Sequence, residues 1–255
     1  MLRKLVLFFM FIYTSYGLST FEIAQKVKKS SNGYESSKSV LEMILIDQSK
    51  KESKREMISI SLEHKGENSQ EGDKSLMEFK TPLDVKGTKF LTHEKINENN
   101  NQWLYLPALK RIKRITSESK SGSFMGSEFS YEDISSREPL KYNYSEEYEE
   151  VEFNGIKCYK YERYSKDKNS GYSKQILWVD SLRFIVLKIE FYDRKKELLK
   201  TATYNNYKKI GNTYRVGDIF MQNHQNYKST KLNYLKDEIH LNLDESLFTK
   251  RYLKD

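Results

Sequence analysis

Apolar and polar residues follow a helical period near the N-terminus and a period of two along most of the remaining chain. Phe21, Ile23, Ala24 and Val27 fall roughly on one face, with Thr20 as N-cap and Asn32-Gly33 as terminator, which predicts a helix. Beyond it, Ile58, Ile60 and Leu62 alternate with Ser59, Ser61 and Glu63, and Val151 and Phe153 with Glu150 and Glu152. Ile185, Leu187, Ile189 and Phe191 are predicted to share one face, opposite Lys188 and Glu190. Tyr214, Val216 and Phe220 repeat the pattern, as do Ile239, Leu241 and Leu243. Each run reads as a half-buried strand.

Turn signals punctuate the runs at hairpin distances: Lys65-Gly66, Gly72-Asp73, Asn154-Gly155, Ser170-Gly171 and Gly211-Asn212. The runs amount to about ten to twelve strands, with no helical segment long enough for parallel crossovers. One antiparallel sheet of that width must curl or close. No Pro/Ser linker or internal repeat divides it, so residues 18–255 read as a single domain. The tail from Asp244 to Leu253, with Asp244 or Ser246 as cap, is expected to form a short helix. Residues 117–136 break the strand grammar: they are polar and glycine-bearing, with Phe124, Met125, Phe129 and Tyr131 embedded. A loop of that length is usually functional, and its aromatics point to the inner face of the sheet.

Arg3 and Lys4 precede an apolar run from Leu5 to Tyr13, with small residues at Ser15 and Gly17. This is the layout of a signal peptide over residues 1–17, cut after Gly17; the run is too short to span a bilayer, which takes about 20 residues. An uncut N-terminal anchor is the alternative. The chain is expected to be exported.

An aromatic fraction of 13% excludes a disordered chain. The single cysteine, Cys158, excludes an internal disulfide and a Cys-built metal site, and it reads as a small buried hydrophobe. The four histidines are too dispersed for a local ligand pair, so neither metal nor cofactor is expected. No nucleophile elbow, Walker loop, dinucleotide fingerprint or zinc-protease motif occurs, so no catalytic residue is assigned and a non-enzymatic protein is expected. The acidic run Glu146 to Glu150 reads as a solvated strand entry.

The net charge of +8 has one local concentration, Lys110, Arg111, Lys113 and Arg114. Beside Trp103 and Tyr105 it has the look of a nucleic-acid surface, but an exported protein offers little occasion for that, and no nucleic acid is expected. Anionic lipid head groups or an acidic partner suit it better. A charged, protected strand edge is the plainer reading.

Two stretches resemble a known family. Residues 101–115 contain Trp103-x-Tyr105-x-Pro107-x-x-x-Arg111, and residues 122–127 read Gly-Ser-Phe-Met-Gly-Ser; with residues 79–88 upstream they are similar to the outer-membrane lipoprotein-sorting (LolA-like) proteins of bacterial envelopes. The resemblance covers roughly Met77 to Ser135. It implies a mainly β fold of LolA/LolB type: an incomplete, open antiparallel β-barrel with an N-terminal helix and a lid of loop and helices. It also implies a periplasmic carrier of lipoprotein acyl chains or lipids towards the outer membrane. The partners would be an inner-membrane transporter, an outer-membrane acceptor and a transient membrane contact. Alternatives are an outer-membrane β-barrel and an accessory subunit of a lipid-exporting pump.

Trp103, Tyr105 and Leu109 share a face if their strand continues through Pro107, which would then mark an edge or bulge. The expected apolar cavity and lid therefore comprise Trp103, Tyr105, Leu109, Phe124, Met125 and Phe129, with Gly122 and Gly126 as hinges. A fixed plug made by the same loop is the alternative.

Overall fold

Helix α1 (Thr20–Ser31) is capped by Ser19, one residue before the expected Thr20. The Ser19 hydroxyl accepts from the Glu22 N–H at 3.2 Å, while the Glu22 carboxylate accepts from the Ser19 N–H at 2.7 Å. This reciprocal capping box satisfies two orphan donors at once, which Thr20 as cap could not do. The Thr20 hydroxyl instead donates to the Ser145 carbonyl at 2.6 Å. The helix stops at Asn32, followed by Gly33 with φ of 94°. The computed structural model of the chain describes residues 17–66, 69–135 and 138–254. Residues 1–16 of the expected leader, which runs to Gly17, lie outside them.

The strands are β1 (Ser36–Ile46), β2 (Glu52–Leu62), β3 (Glu71–Thr81), β4 (Lys89–Lys95), β5 (Asn101–Leu106), β6 (Arg111–Ile115), β7 (Tyr142–Tyr144), β8 (Glu149–Phe153), β9 (Ile156–Ser165), β10 (Tyr172–Asp180), β11 (Val186–Asp193), β12 (Leu198–Asn205), β13 (Lys208–Ile210), β14 (Thr213–Arg215), β15 (Asp218–Asn223) and β16 (Ser229–Ile239). Among the described residues, fourteen of them form one antiparallel sheet in the order β6-β5-β4-β3-β2-β1-β16-β15-β12-β11-β10-β9-β7, with β8 also on β9. β13 and β14 form a separate hairpin. The sequence pattern counts fewer strands because β7, β13 and β14 are three residues each, too short to display alternation.

Two meanders, β1–β6 and β7–β16, are joined by the long β1/β16 pairing, from Ser37 opposite Ile239 to Ile46 opposite Ser229. The sheet is not closed: β6 is one free edge, and β7 and β8 follow each other along the other. The fold is an open antiparallel β-barrel with an N-terminal helix.

Alternation assigns each strand two faces, and both are covered. Leu41, Met57, Phe79, Phe90, Leu104 and Ile189 belong to the inner core, which α1 joins through Ile23. On the outer face, Leu76, Leu91, Trp103 and Tyr105 pack beneath Phe248 and Leu253 of the C-terminal segment. That segment forms a short 3-10 helix, Glu245–Phe248, with the Asp244 side chain capping the Ser246 N–H. It is tied to β4 by His93 Nε2 at 2.7 Å from the Phe248 carbonyl and by Lys89 Nζ donating to the Tyr252 carbonyl.

One expected face is split. The β10/β11 register shifts between Trp178 and Val179, so Val186 joins the inner core and Leu187 packs outside with Cys158. A bulge inserts one residue and inverts everything beyond it, which is why Leu187 leaves the face of Ile189 and Phe191.

Candidate functional site

The loop between β6 and β7 crosses the concave face and fills one half of it. Phe124 is fully buried, with its ring 5.2 Å from Phe90, 5.9 Å from Phe79 and 5.6 Å from Tyr131. A tight turn presents it: the Phe124 N–H donates to the Phe129 carbonyl at 2.7 Å, the Ser127 N–H to the Phe124 carbonyl, and the Ser127 hydroxyl to that same carbonyl. Met125 and Gly126, both with positive φ, turn the chain.

A polar cluster fastens the far end of the loop to the opposite wall. Lys200 of β12 donates to Asp133 Oδ2 at 2.6 Å and to the Glu128 carbonyl at 2.9 Å. The Tyr172 hydroxyl donates to Asp133 Oδ1 at 2.9 Å, and the Ser130 N–H to Oδ2 at 2.7 Å. Burial pushes the Asp133 carboxyl up, but the Lys200 charge and these hydrogen bonds outweigh it and hold it below the usual carboxylate range. Glu132 goes the other way, raised by burial and then by Asp133, although it accepts from the Gly171 N–H and the Ser170 hydroxyl.

The other half of the concave face is hollow. A cavity of about 350 Å³ lies between α1 and strands β9–β12, β15 and β16. Its apolar wall is Val27 from α1, Leu177, Val186 and Ile219 from the sheet, and Val216 from the segment before β15. Tyrosines surround this wall, among them Tyr161, Tyr204, Tyr214 and Tyr234. Burial pushes the Tyr161 hydroxyl up to about 12, so it remains a neutral donor. Lys28, Arg163, Arg215, Asp73 and Asp133 supply the charged part of the lining. Helix α1 roofs the space and is anchored near its C-terminal end. The Ser30 hydroxyl donates to the Phe184 carbonyl at 2.7 Å, Thr213 to the Asn32 carbonyl at 2.7 Å, and Lys28 pairs with Glu138.

A second cavity, of about 430 Å³, sits at the open seam between the β4–β6 side and the β7/β9 side. It is lined mainly by polar groups such as Asn97, Asn100, Lys120 and Asp167, and Lys120–Asp167 and Lys141–Asn100 contacts bridge it. Burial lowers the Lys141 ammonium to about 8. It lacks the apolar wall an acyl chain needs. Among the described residues, no three His, Cys, Asp or Glu side chains gather into a metal-binding group.

A domain from Vibrio parahaemolyticus assigned to outer-membrane lipoprotein sorting is 45% identical to this chain. The match covers 92% of this chain and 98% of the other, with a TM-score of 0.87. The chain belongs to the outer-membrane lipoprotein-sorting family. A DUF1329-family protein from Desulfovibrio piger matches at 27% identity and a TM-score of 0.83, over 91% of this chain and 97% of its own. A LolA-superfamily protein from Nitrosomonas europaea has the same fold at 21% identity and a TM-score of 0.71, over 92% and 100%. A family model described as "uncharacterized protein" matches residues 71–255. No curated protein matches.

Within this LolA-like fold the six residues expected to line one cavity do not meet. Phe124, Phe129 and half-buried Met125 belong to the inner core, whereas Trp103 and Tyr105 belong to the outer cluster under the C-terminal segment. In Trp103-Leu104-Tyr105-Leu106 every position is apolar, so the sequence does not fix which parity points inward; the structure gives Leu104 that role. Leu109 is 62% exposed, because β5 ends at Leu106 and Pro107–Leu109 form a 3-10 turn instead of continuing the strand. Pro107, with no N–H to give the ladder, starts that turn. Gly126 has φ of 75° in the Phe124–Ser127 turn, and Gly122 has no positive φ. Lys110, Arg111, Lys113 and Arg114 are exposed on and beside β6, the free sheet edge.

The cavity beneath α1 draws on residues that pattern reading passed over. One signal was present: Tyr159, Tyr161 and Arg163 share a parity on β9, and Tyr161 and Arg163 are buried. An arginine on the buried parity of a strand breaks the apolar/polar alternation.

Proposed function

We propose that this protein is a non-enzymatic periplasmic carrier that holds an acyl chain of a lipoprotein or lipid beneath α1 on its way towards the outer membrane. The observation that carries this reading is the apolar-walled cavity beneath α1, left open in a sheet whose other half is filled. Ligand cavities commonly start at about 300 Å³ and are walled by apolar side chains with a few placed polar groups. Each buried methylene gains about 0.8 kcal/mol, enough over a chain to compete with a bilayer. The V. parahaemolyticus relative, assigned to lipoprotein sorting, supports the same reading. A role beside a lipid-exporting membrane pump would use the same cavity. A membrane-spanning barrel is disfavoured, because free edges at β6 and β7 would leave backbone groups unpaired in hydrocarbon.

Contact with a membrane or acceptor belongs to the turn end of the β3–β6 meander. Leu83 is 87% exposed and Leu109 62% exposed there, and Lys86, Lys110 and Arg111 around them are exposed too. Apolar tips among cations suit an anionic surface.

The test is displacement of a fluorescent acyl probe from the mature chain. Val27→Trp fills the cavity from its roof and should abolish probe binding with little change in thermal stability. Unchanged binding by that variant would place the ligand elsewhere and remove the reading.

A further inference from the structure

The charges around the hollow are paired unequally. Lys200 has Asp133 at 2.6 Å, Arg215 has Asp237 at 2.6 Å, and Lys28 has Glu138. Arg163 lines the same cavity, is only 4% exposed, and has no carboxylate within ion-pair distance among the described residues. Its Nε and Nη2 both donate to one neutral oxygen, Gln175 Oε1, at 2.8 and 2.6 Å. Gln175 is the residue directly opposite on β10. The guanidinium lies over the Tyr142 ring, 4.0 Å from its centroid. A guanidinium carries five N–H donors; Nη1 is left without a protein acceptor among the described residues.

Burying a cation without a counter-charge is costly, and an amide oxygen with an aromatic face offsets only part of that cost. The carboxylates that share the lining are already engaged. Asp133 is held by Lys200, and Asp73 accepts from the Tyr34 hydroxyl at 3.3 Å and the His64 N–H at 3.0 Å. Neither carboxylate is placed to neutralise Arg163.

The apolar part of the same lining, Leu177, Val186 and Ile219, offers a bed for a chain beside that charge.

We propose that Arg163 binds the anionic head group of an acyl-chain amphiphile, a carboxylate or phosphate monoester, whose chain lies along Leu177, Val186 and Ile219. The proposal rests on the carrier reading and specifies its ligand class. Gln175 and Tyr142 hold the guanidinium plane so that its remaining donors are fixed before the ligand arrives, which suits the planar fork of arginine better than a lysine ammonium.

The experiment is competition against a fluorescent acyl probe with dodecanoate, dodecyl phosphate and dodecanol, on the wild-type chain, Arg163→Lys and Arg163→Met. Wild type is expected to prefer at least one anion over the alcohol by about tenfold or more, the scale of a charge-assisted hydrogen bond. Whichever anion competes better identifies the head group. Arg163→Lys should keep part of the preference, and Arg163→Met should bind alcohol and anions alike. Equal competition by all three ligands on wild type would overturn the anion site and leave the carrier reading standing, and this arm does not depend on a variant folding. An anion preference that survives in Arg163→Met would overturn the assignment to Arg163. Failure of all three ligands on wild type would overturn both.

Discussion

The two halves of the concave face share one strand grammar and differ in what crosses them. Over β3–β5 the covering segment is the loop after β6, which inserts Phe124 and Phe129 and is fastened by the Lys200–Asp133 pair. Over β9–β12 it is α1, which sets Ala24, Val27 and the small polar Ser30 over the cavity, while Ile23 packs into the core. Large aromatic side chains fill their half; small helical ones leave theirs hollow. What distinguishes filled core from cavity here is the side-chain volume of the covering segment, not the sheet beneath it.

The sharpest break of that comparison is Phe124→Ala. A fully buried phenylalanine at the centre of the filled half should cost about 3–5 kcal/mol on truncation, read by denaturant unfolding. A small stability loss with a large loss of acyl-probe affinity would make the loop a lid instead.

Removing the fastening should cost a similar or slightly smaller amount. Lys200→Met leaves the buried Asp133 carboxylate without its counter-charge, a loss of about 3–5 kcal/mol. The sign of its pH dependence follows from the Asp133 carboxyl being held below its unfolded value. That stabilisation is present above the ordinary carboxyl range near pH 4 and is lost as pH falls through the lowered folded value. Wild-type stability measured against pH should therefore decline on acidification, and in Lys200→Met this contribution should vanish. An identical acid limb in both proteins would mean the pair does not fasten the loop.

In the hollow half the expected stability effects are small and the binding effects large. Val27→Trp should shift stability by no more than about 1 kcal/mol, since it fills space instead of emptying it, while acyl-probe affinity collapses. Unfolding by that variant would show the hollow to be too tightly closed to accept a side chain or a ligand.

The smallest effect is expected at the free edge. Arg111→Glu with Arg114→Glu should leave stability within about 0.5 kcal/mol, both side chains being exposed. It should weaken association with anionic vesicles at low salt, where such attraction is least screened. Unchanged vesicle binding would reduce the cluster to a guard against edge-to-edge pairing.

Much of the fold was legible in the sequence, and the limits have physical causes. Period-two runs such as Ile58–Leu62 revealed the strands, and the motif around Trp103 and Gly122–Ser127 pointed to the family. A run in which every position is apolar, like Trp103 to Leu106, carries no information about parity, so its inward face was misassigned. The bulge at Leu187 leaves no trace in hydrophobicity, because both faces it joins are apolar. The cavity was hidden for a different reason. It exists because α1, distant in sequence, crosses strands β9–β16, and α1 gives no local sign of what it will roof. Arg163 on a buried parity was the nearest thing to a local signal.

The most direct test of the central claim is to map where a bound acyl chain lies. A fatty-acyl probe carrying a diazirine near its end, photolysed in the protein and located by peptide mass spectrometry, reads this out residue by residue. The account predicts labels on the α1 peptide around Val27 and on the strands holding Leu177, Val186 and Ile219, competed away by unlabelled ligand. Labels concentrated on Phe124 and Met125, or on Trp103 and Leu109, would contradict it.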